Sequence, residues 1–345
     1  MPIPMPPDAP LSLSELIATL AQLPPPDMAA ISGARAHDAV LTKPPGALGR
    51  LEEITRWLAG WQGRAKPQAE AVQITVFAGN HGVTARGVSA FPAEVTVQMV
   101  ENFRRGGAAI NQLAHAFGAK LDVVALDLDR PTADFCAAPA MSEAELFAAL
   151  IAGWQAVRPG LDLFVAGEMG IGNTTSAAAL SAALFGHEGG VQGWCGRGTG
   201  LDDAGLRRKE AAVALALETH AGHLEAPFEA LRRLGGREVA AMTGAILHAR
   251  LLQIPVLLDG FIACAAAGVL ERAKPGALDH CMAAHLSAEG AHGRLLAALG
   301  KEPLLSLGLR LGEASGAGVA LGLIRAALAC HNGMASFADA GVSEA

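Results

Sequence analysis

The 345-residue chain is 51% apolar, has a formal net charge of −7 and contains no tyrosine. Its length fits one large domain with a smaller annex and allows a sizeable core, which must be built from small aliphatic residues because aromatics make up only 4%. The acidic balance and the lack of a dense Lys/Arg run argue against a nucleic-acid partner, although backbone amides and one or two lysines can still bind a small anion.

The sequence predicts neither a membrane protein nor a secreted protein. Residues 1–10 are rich in proline and lack both a basic start and an apolar run, so we expect a tail and not a signal peptide. No apolar stretch reaches the length of a bilayer span. The five cysteines form no CxxC pair, which suits a reducing cytoplasm; they are Cys136, Cys195, Cys264, Cys281 and Cys330.

The first 70 residues are helical in pattern. Ser12 and Glu15 form a capping box, and the triple proline at 24–26 ends the helix that it opens. One apolar face of this helix is expected to contain Leu16, Ile17, Leu20 and Leu23. A second helix follows an extended Lys43-bearing segment at 41–46, with an apolar face of Leu48, Leu51, Ile54, Leu58 and Trp61.

From residue 73 onward, short apolar runs alternate with helical segments. The runs lie at 74–78, 121–126, 161–166 and 255–258, and an Ala/Gly/Leu helix is expected at 314–329. Because the runs are continuously apolar and do not alternate, they predict parallel strands covered by helices on both faces. The fold class predicted from the residues is therefore α/β.

A glycine-rich segment at 167–176 lies between a predicted strand and an Ala-rich helix. In parallel sheets such a position presents helix amides to a ligand, and Thr174, Thr175 and Ser176 would add hydroxyl donors. The segment lacks a Walker lysine and the dinucleotide glycine order, so it predicts a generic phosphate site. A tight strand-to-helix turn capped by threonine explains the same residues equally well.

Two further loops are candidates for a site. The segment 196–203 precedes a helix with Arg207, Arg208 and Lys209, which could bind a phosphate, but on these residues alone a solvated basic helix face is favoured. The long polar loop 80–89 follows the first strand, where active-site loops belong. Its His81 is compatible with catalysis and equally with a hydrogen bond inside the loop.

The sequence contains one candidate for a general base and one candidate set of metal ligands. Glu313 stands among apolar and glycine residues before the terminal helix, where a carboxylate can have a raised pKa and act as a base, or can simply satisfy helix amides. His285, Glu289 and His292 match no established zinc spacing, so no metal site is expected.

Taken together, blocks between residues 41 and 329 resemble the nicotinate-nucleotide:dimethylbenzimidazole phosphoribosyltransferases. The matching blocks are 42–52, 80–83, 87–89, 92–96, 105–111, 167–175, 196–203, 259–261 and 309–316. The chain departs from the family pattern at Ala314, where family members usually have glycine, and at Asn80, where they often have aspartate.

The resemblance implies specific roles for residues. Glu313 is implied to be the general base, and Ser89, Phe91 and Gln98 to line the benzimidazole pocket. The implied nucleotide and phosphate site consists of Glu168, Gly170, Ile171, Gly172, Asn173, Thr174, Thr175, Gly198, Lys209, Ser287, Leu311 and Gly312.

The implied reaction transfers the phosphoribosyl group of nicotinate mononucleotide to 5,6-dimethylbenzimidazole, giving α-ribazole 5′-phosphate and nicotinate in cobalamin assembly. The pyridine leaves as a neutral ring, so one base that removes the benzimidazole proton is sufficient. No pyrophosphate leaves, so neither magnesium nor another cofactor is implied. Two alternatives stay open: transfer to adenine or a phenolic acceptor, and a non-catalytic nucleotide-binding regulatory protein.

The expected architecture is a Rossmann-like three-layer parallel sheet with a small helical domain built from both chain ends. We expect segments 11–70 and 306–345 to form the small domain and 71–305 the large α/β domain. The family resemblance also implies a homodimer.

Overall fold

The computed structural model describes residues 9–186 and 189–343, so positions 1–8 of the predicted tail lie outside the described residues. The described strands are β1 (Val72–Ala78), β2 (Lys120–Ala125), β3 (Leu163–Met169), β4 (Val256–Leu258), β5 (Cys281–His285) and β6 (Pro303–Leu305). The described α-helices are α1 (Leu13–Ala18), α2 (Met28–Ala39), α3 (Arg50–Gln62), α4 (Val95–Arg104), α5 (Ala109–Ala116), α6 (Glu143–Ala156), α7 (Asn173–Phe185), α8 (Asp203–Thr219), α9 (Pro227–Leu234), α10 (Arg237–Leu251), α11 (Phe261–Ala273), α12 (His292–Ala298), α13 (Ser315–Gly333) and α14 (Phe337–Ala340). None of these helices combines the length and the apolar character of a membrane span.

All named strands form one parallel sheet in the order β2-β1-β3-β4-β5-β6. Helices cover both faces, and successive residues of a strand enter different cores: Leu163 and Val165 pack with α3, α5 and α13, whereas Phe164 and Ala166 pack with α6, α7 and α10. This two-sided burial is the reason for the continuous apolar runs, and it confirms the predicted α/β class.

Strand β3 is longer than its sequence pattern predicted. Gly167 does not end the strand, because residues up to Met169 remain in register with β1. The glycine is needed for packing: a Cβ at this position would lie 2.8 Å from the Cβ of Ala314, in the turn before α13. Strands β5 and β6 were not predicted, since β5 is a Cys-Met-Ala-Ala-His segment without β-branched residues and β6 has three residues.

The predicted first helix is only partly correct. Ser12 Oγ accepts the N–H of Glu15 and caps α1 as expected. However, α1 ends at Ala18 and a 3₁₀ turn follows at Thr19–Gln22, which breaks the 3.6-residue periodicity. Leu16 and Leu20 are buried, whereas the predicted core residue Ile17 is exposed. In the second helix, Ile54, Leu58 and Trp61 are buried as expected, and Leu48 lies in the turn before α3.

The two chain ends contact each other. Leu41 forms an antiparallel bridge with Ser336, and the Thr42 N–H donates to Ala335 O at 3.1 Å. Helix α13 packs on α3 and also on the sheet through β5. The terminal segments are therefore joined, while the domain boundaries at 70 and 305 stay a prediction.

Helices α6 and α10 approach so closely that only glycine fits at their crossing. A Cβ on Gly153 would collide with Ala241 O, and a Cβ on Gly244 would collide with Leu150 O. We expect Gly153→Ala to reduce the free energy of unfolding by about 1–3 kcal/mol through overpacking. Urea unfolding measures this. The matched control is Gly333→Ala, an exposed helical position with open space around it, and equal stability of the two variants would contradict the close packing.

Candidate active site

A cavity of ≈ 340 Å³ opens at the carboxyl edge of the sheet. Its walls come from the segments that follow β1, β3, β4 and β5 and from the loop before α13. In the sheet, β2 lies on one side of β1 and β3 on the other, so the strand order reverses next to this cavity. Open α/β sheets bind their ligands at the point where the strand order reverses. The topology therefore places a ligand site at this edge.

The structure brings most of the predicted site residues together around this cavity. Those lining it are Ser89, Phe91, Glu168, Gly170, Ile171, Gly172, Asn173, Thr174, Gly198, Ser287, Leu311, Gly312 and Glu313. Three predicted residues, Gln98, Thr175 and Lys209, do not line it.

The helix face on which each residue lies explains why Gln98 and Thr175 do not line the cavity. Val95 and Met99, one turn apart on α4, face the cavity, whereas Gln98 lies on the exposed side of the helix. Thr175 is fully buried within α7, and its N–H donates to Gly172 O at 3.0 Å. Both side chains therefore point away from the space that a ligand would occupy.

Lys209 lies behind the second glycine loop. It is fully buried, so the expectation of a solvated basic face is wrong for this residue. Its Nζ donates to Gly196 O at 2.8 Å and lies 3.8 Å from Oε1 of Glu289, which lines the cavity and accepts the Gly198 N–H. Burial lowers the pKa of Lys209, and Glu289 opposes this change. The lysine thus holds the loop from inside the protein.

The first glycine segment forms the amino end of α7. Its N-cap is Gly172 with φ +95°, a left-handed conformation that favours glycine, and no side chain caps the helix. The threonine-capped turn is therefore not what the structure shows. Asn173 and Thr174 in the first turn face the cavity, so the positive end of the helix is directed to it.

Glu313 is the most distinctive group in the cavity wall. Only 5% of the residue is exposed. Burial, and secondly the charge of Asp259, raise its pKa to about 7. Both Glu313 (φ +60°) and Ala314 (φ +64°) have left-handed backbones, which explains the suitability of glycine at the second position. A carboxyl group with this pKa can accept a proton at neutral pH.

A second carboxyl group lies close to the same turn. Glu168 is buried and accepts a hydrogen bond from the side-chain amide of Asn173. Its Oε1 lies against Gly312, where a Cβ would collide with it. Burial raises the pKa of Glu168 well above its usual range, and Asp259 adds to the effect. The cavity wall therefore contains two carboxyl groups, Glu168 and Glu313, whose ionisation is disfavoured by burial and by the charge of Asp259.

His81 does not face the cavity. Its buried Nε2 lies 2.6 Å from Oε1 of Glu238, in the first turn of α10. Its Cβ lies beneath Gly172 of the glycine segment. Of the two roles left open by the sequence, the structure places His81 in a hydrogen bond behind the loop.

The candidate metal ligands do not converge on one point. His285 and Glu289 line the cavity, but the Nδ1 of His292 accepts the Ser287 N–H at 2.9 Å and its Nε2 lies 3.3 Å from Cys264 Sγ. Across 9–186 and 189–343, no cluster of three or more candidate ligands is present.

Sequence reasoning assigned no individual role to much of the apolar wall or to its two arginines. These residues are Val88, Val95, Met99, Met169, Arg197, Leu201, Phe261, Ile262 and Arg310, of which Met169, Arg197 and Leu201 fall inside the two glycine-rich candidate segments. The i,i+4 spacing of Val95 and Met99 was an available signal for one helix face. Phe261 and Ile262 directly follow Asp259-Gly260 after a predicted strand, which is the position of a ligand-binding helix start.

A family model described as Phosphoribosyltransferase matches residues 23–342. The chain belongs to this family. A relative from Roseobacter denitrificans, named nicotinate-nucleotide–dimethylbenzimidazole phosphoribosyltransferase, is 63% identical over 333 residues, which cover 96% of this chain and 98% of the relative. A relative of the same name from Ruegeria pomeroyi is 61% identical over 332 residues, with coverages of 96% and 98%.

A solved structure supports the same family assignment. The crystal structure of nicotinate-nucleotide-dimethylbenzimidazole phosphoribosyltransferase from Thermus thermophilus superposes with a TM-score of 0.84 at 43% identity, covering 92% of this chain and 100% of that chain. The resemblance inferred from the sequence motifs is thereby confirmed.

The raised pKa of Glu313 predicts a pH-dependent stability difference for Glu313→Gln. Below pH 4.5, the ordinary pKa, both folded and unfolded states hold the proton. Between pH 4.5 and about 7 only the unfolded state loses it, so wild-type stability falls as pH rises. At about 1.4 kcal/mol per pKa unit, the loss is on the order of 3 kcal/mol and is complete above pH 7.

Glutamine has no such penalty, so the variant should gain stability relative to wild type across this interval and keep the gain at higher pH. Urea unfolding at several pH values measures the difference. The control Glu302→Gln removes only an exposed ion pair with Arg50 and should show a much smaller difference. A Glu313→Gln difference that does not change with pH would show that the carboxyl group ionises normally.

Proposed function

We propose that the protein transfers the phosphoribosyl group of nicotinate mononucleotide to 5,6-dimethylbenzimidazole, with release of nicotinate and formation of α-ribazole 5′-phosphate. The observation that carries the proposal is the buried carboxyl group of Glu313, with a pKa near 7, in the wall of a largely apolar cavity. The names of the relatives from Roseobacter and Ruegeria support the substrate pair.

The proposed chemistry requires one proton acceptor. The bond between ribose C1′ and the pyridinium nitrogen breaks, and its electron pair stays on the leaving ring, which becomes neutral at nitrogen. A benzimidazole nitrogen forms the new bond to C1′. The other ring N–H gives its proton to Glu313, whose pKa lies near the working pH as efficient general-base catalysis requires.

The two substrates fit different walls of the cavity. A planar apolar base matches the side formed by Val88, Phe91 and Met99, with Ser89 as a polar contact. An anionic phosphate matches the amino end of α7 and the loop at Gly198, and Arg310 beside this loop adds positive charge, with its guanidinium donating to Gly198 O at 3.1 Å. This division supports binding of both substrates at once.

We expect Glu313→Gln to lower kcat by about two to four orders of magnitude, because it removes the base and keeps the shape of the side chain. The enzyme is incubated with nicotinate mononucleotide and dimethylbenzimidazole, and turnover is measured as the amount of nicotinate released, quantified by chromatography. The control variant is Glu302→Gln. Glu302 is far more exposed than Glu313, so this variant should keep wild-type turnover. A Glu313→Gln enzyme with near-normal kcat would remove this residue from the mechanism.

The same assay separates the two alternatives. Wild-type protein that binds nicotinate mononucleotide but releases no nicotinate would indicate a non-catalytic nucleotide-binding protein. Competition between dimethylbenzimidazole, adenine and a phenol for the phosphoribosyl group identifies the preferred acceptor. Our proposal expects dimethylbenzimidazole to have the highest kcat/KM.

We further propose that the protein works in the cytoplasm as a homodimer. Large apolar side chains lie exposed at the carboxyl edge of the sheet: Phe91, Leu307 and Leu311 are 47%, 58% and 48% exposed. A second copy would cover them. Light scattering should give a dimer mass, and Leu307→Glu should shift the mass towards the monomer. A monomeric wild-type protein at micromolar concentration would contradict the dimer.

A further inference from the structure

Asp259 is a buried carboxylate that lies behind the cavity wall. It directly follows β4, and only 2% of the residue is exposed. Its Oδ1 accepts the N–H of Ala317 in the first turn of α13 at 2.8 Å. Burial raises the pKa of Asp259, and His285 together with the backbone N–H groups of Ala317, Gly316 and Ala314 opposes this change. The carboxyl group of Asp259 therefore joins the end of β4 to the amino end of α13, directly after Glu313.

The backbone that Asp259 contacts has an unusual conformation. Gly312, Glu313 and Ala314 have φ values of +81°, +60° and +64° in succession. For each of the two non-glycine residues this left-handed conformation is sterically strained. Such a turn persists only where the surrounding structure restrains it.

Packing restrains the turn on its other sides. The imidazole of His285 occupies the space that a side chain on Gly316 would need, and the Ala314 side chain packs against Gly167 of β3. The His285 Nε2 lies 3.6 Å from Asp259 Oδ1. In this arrangement Asp259 is the group that binds the turn and α13 through hydrogen bonds.

We propose that Asp259 is a positioning residue for phosphoribosyl transfer: it anchors the amino end of α13 and so holds the Glu313 turn against the cavity. The inference rests on the proposed function, because it concerns the base assigned there. Asp259 does not itself line the cavity, and it acts on the reaction through Glu313.

The charge of Asp259 has a second consequence. It is one of two causes that raise the pKa of Glu313, after burial. The other ionisable groups that line the same cavity are Glu168, Arg197, His285, Glu289 and Arg310. Removing the Asp259 charge should therefore lower the pKa of Glu313 and shift the acid limb of the pH–rate profile to lower pH.

Asp259→Asn removes the charge and keeps one hydrogen-bond acceptor. We expect the acid limb of its kcat/KM profile to shift down by about one pH unit. A loosened turn should also lower kcat by about tenfold to a hundredfold. The assay is nicotinate release over pH 5–9, with folding checked by circular dichroism.

Asp162→Asn is the matched control. Asp162 is also a buried aspartate that accepts backbone N–H groups, those of Glu70 and Ala71 at 3.0 and 2.9 Å, but it precedes β3 and lies at the opposite edge of the sheet. Its variant should lose stability and keep the wild-type pH profile. If the two variants behave alike, or if the acid limb of Asp259→Asn coincides with that of wild type, the inference is overturned.

A second variant separates the anchor from the charge and serves if Asp259→Asn does not fold. Ala317→Pro removes the N–H that Asp259 accepts, at the third residue of α13, where the backbone N–H has no partner within the helix. We expect a lower kcat with an unshifted acid limb, and wild-type turnover would overturn the anchoring role. An inactive wild-type protein would instead contradict the proposed function, so the two failures are distinguishable.

Discussion

The active-site architecture depends on the close approach of one strained turn to the sheet. Residues 312–314 can lie against β3 and β5 because Gly167 and Gly316 leave room for Ala314 and for the His285 ring. This approach buries the Glu313 carboxyl group and raises its pKa. The proposed role of Glu313 as a base at neutral pH therefore depends on backbone packing as much as on the identity of the acid.

The proposed anion site of this acidic protein has its charged groups arranged in layers. The surface facing a ligand consists of glycine loops and the amino end of α7, which offer backbone amides. The buried cation Lys209 stands behind one loop, paired with Glu289 and a backbone carbonyl. Glu168 and Glu313 are held where ionisation is opposed, so they add less negative charge to the cavity than their number suggests.

Predictions from the sequence succeeded where a pattern reflects the immediate environment of a segment. The runs around 74–78, 121–126, 161–166 and 255–258 all correspond to strands. Strands β1, β3 and β4 are buried on both faces and must therefore be apolar, whereas β2 is a half-buried edge strand. The predictions failed where neighbouring elements decide the outcome. Gly167 remained in β3 since its missing side chain serves packing, and Ile17 is exposed on α1 although the helical pattern placed it on the buried face.

The sequence by itself determined the α/β class, the family and the identity of about half of the residues around the cavity, because these depend on local apolar pattern and on ordered motifs. Only the tertiary structure decided which side chains reach the cavity. Gln98 is next to the lining residue Met99 in sequence but is exposed, and Lys209 on α8 is buried behind the loop, since the rotation of a helix about its axis is set by its packing partners. The hydrogen bond from Ala317 to Asp259 joins residues 58 positions apart, and it exists only because parallel strands end at one edge.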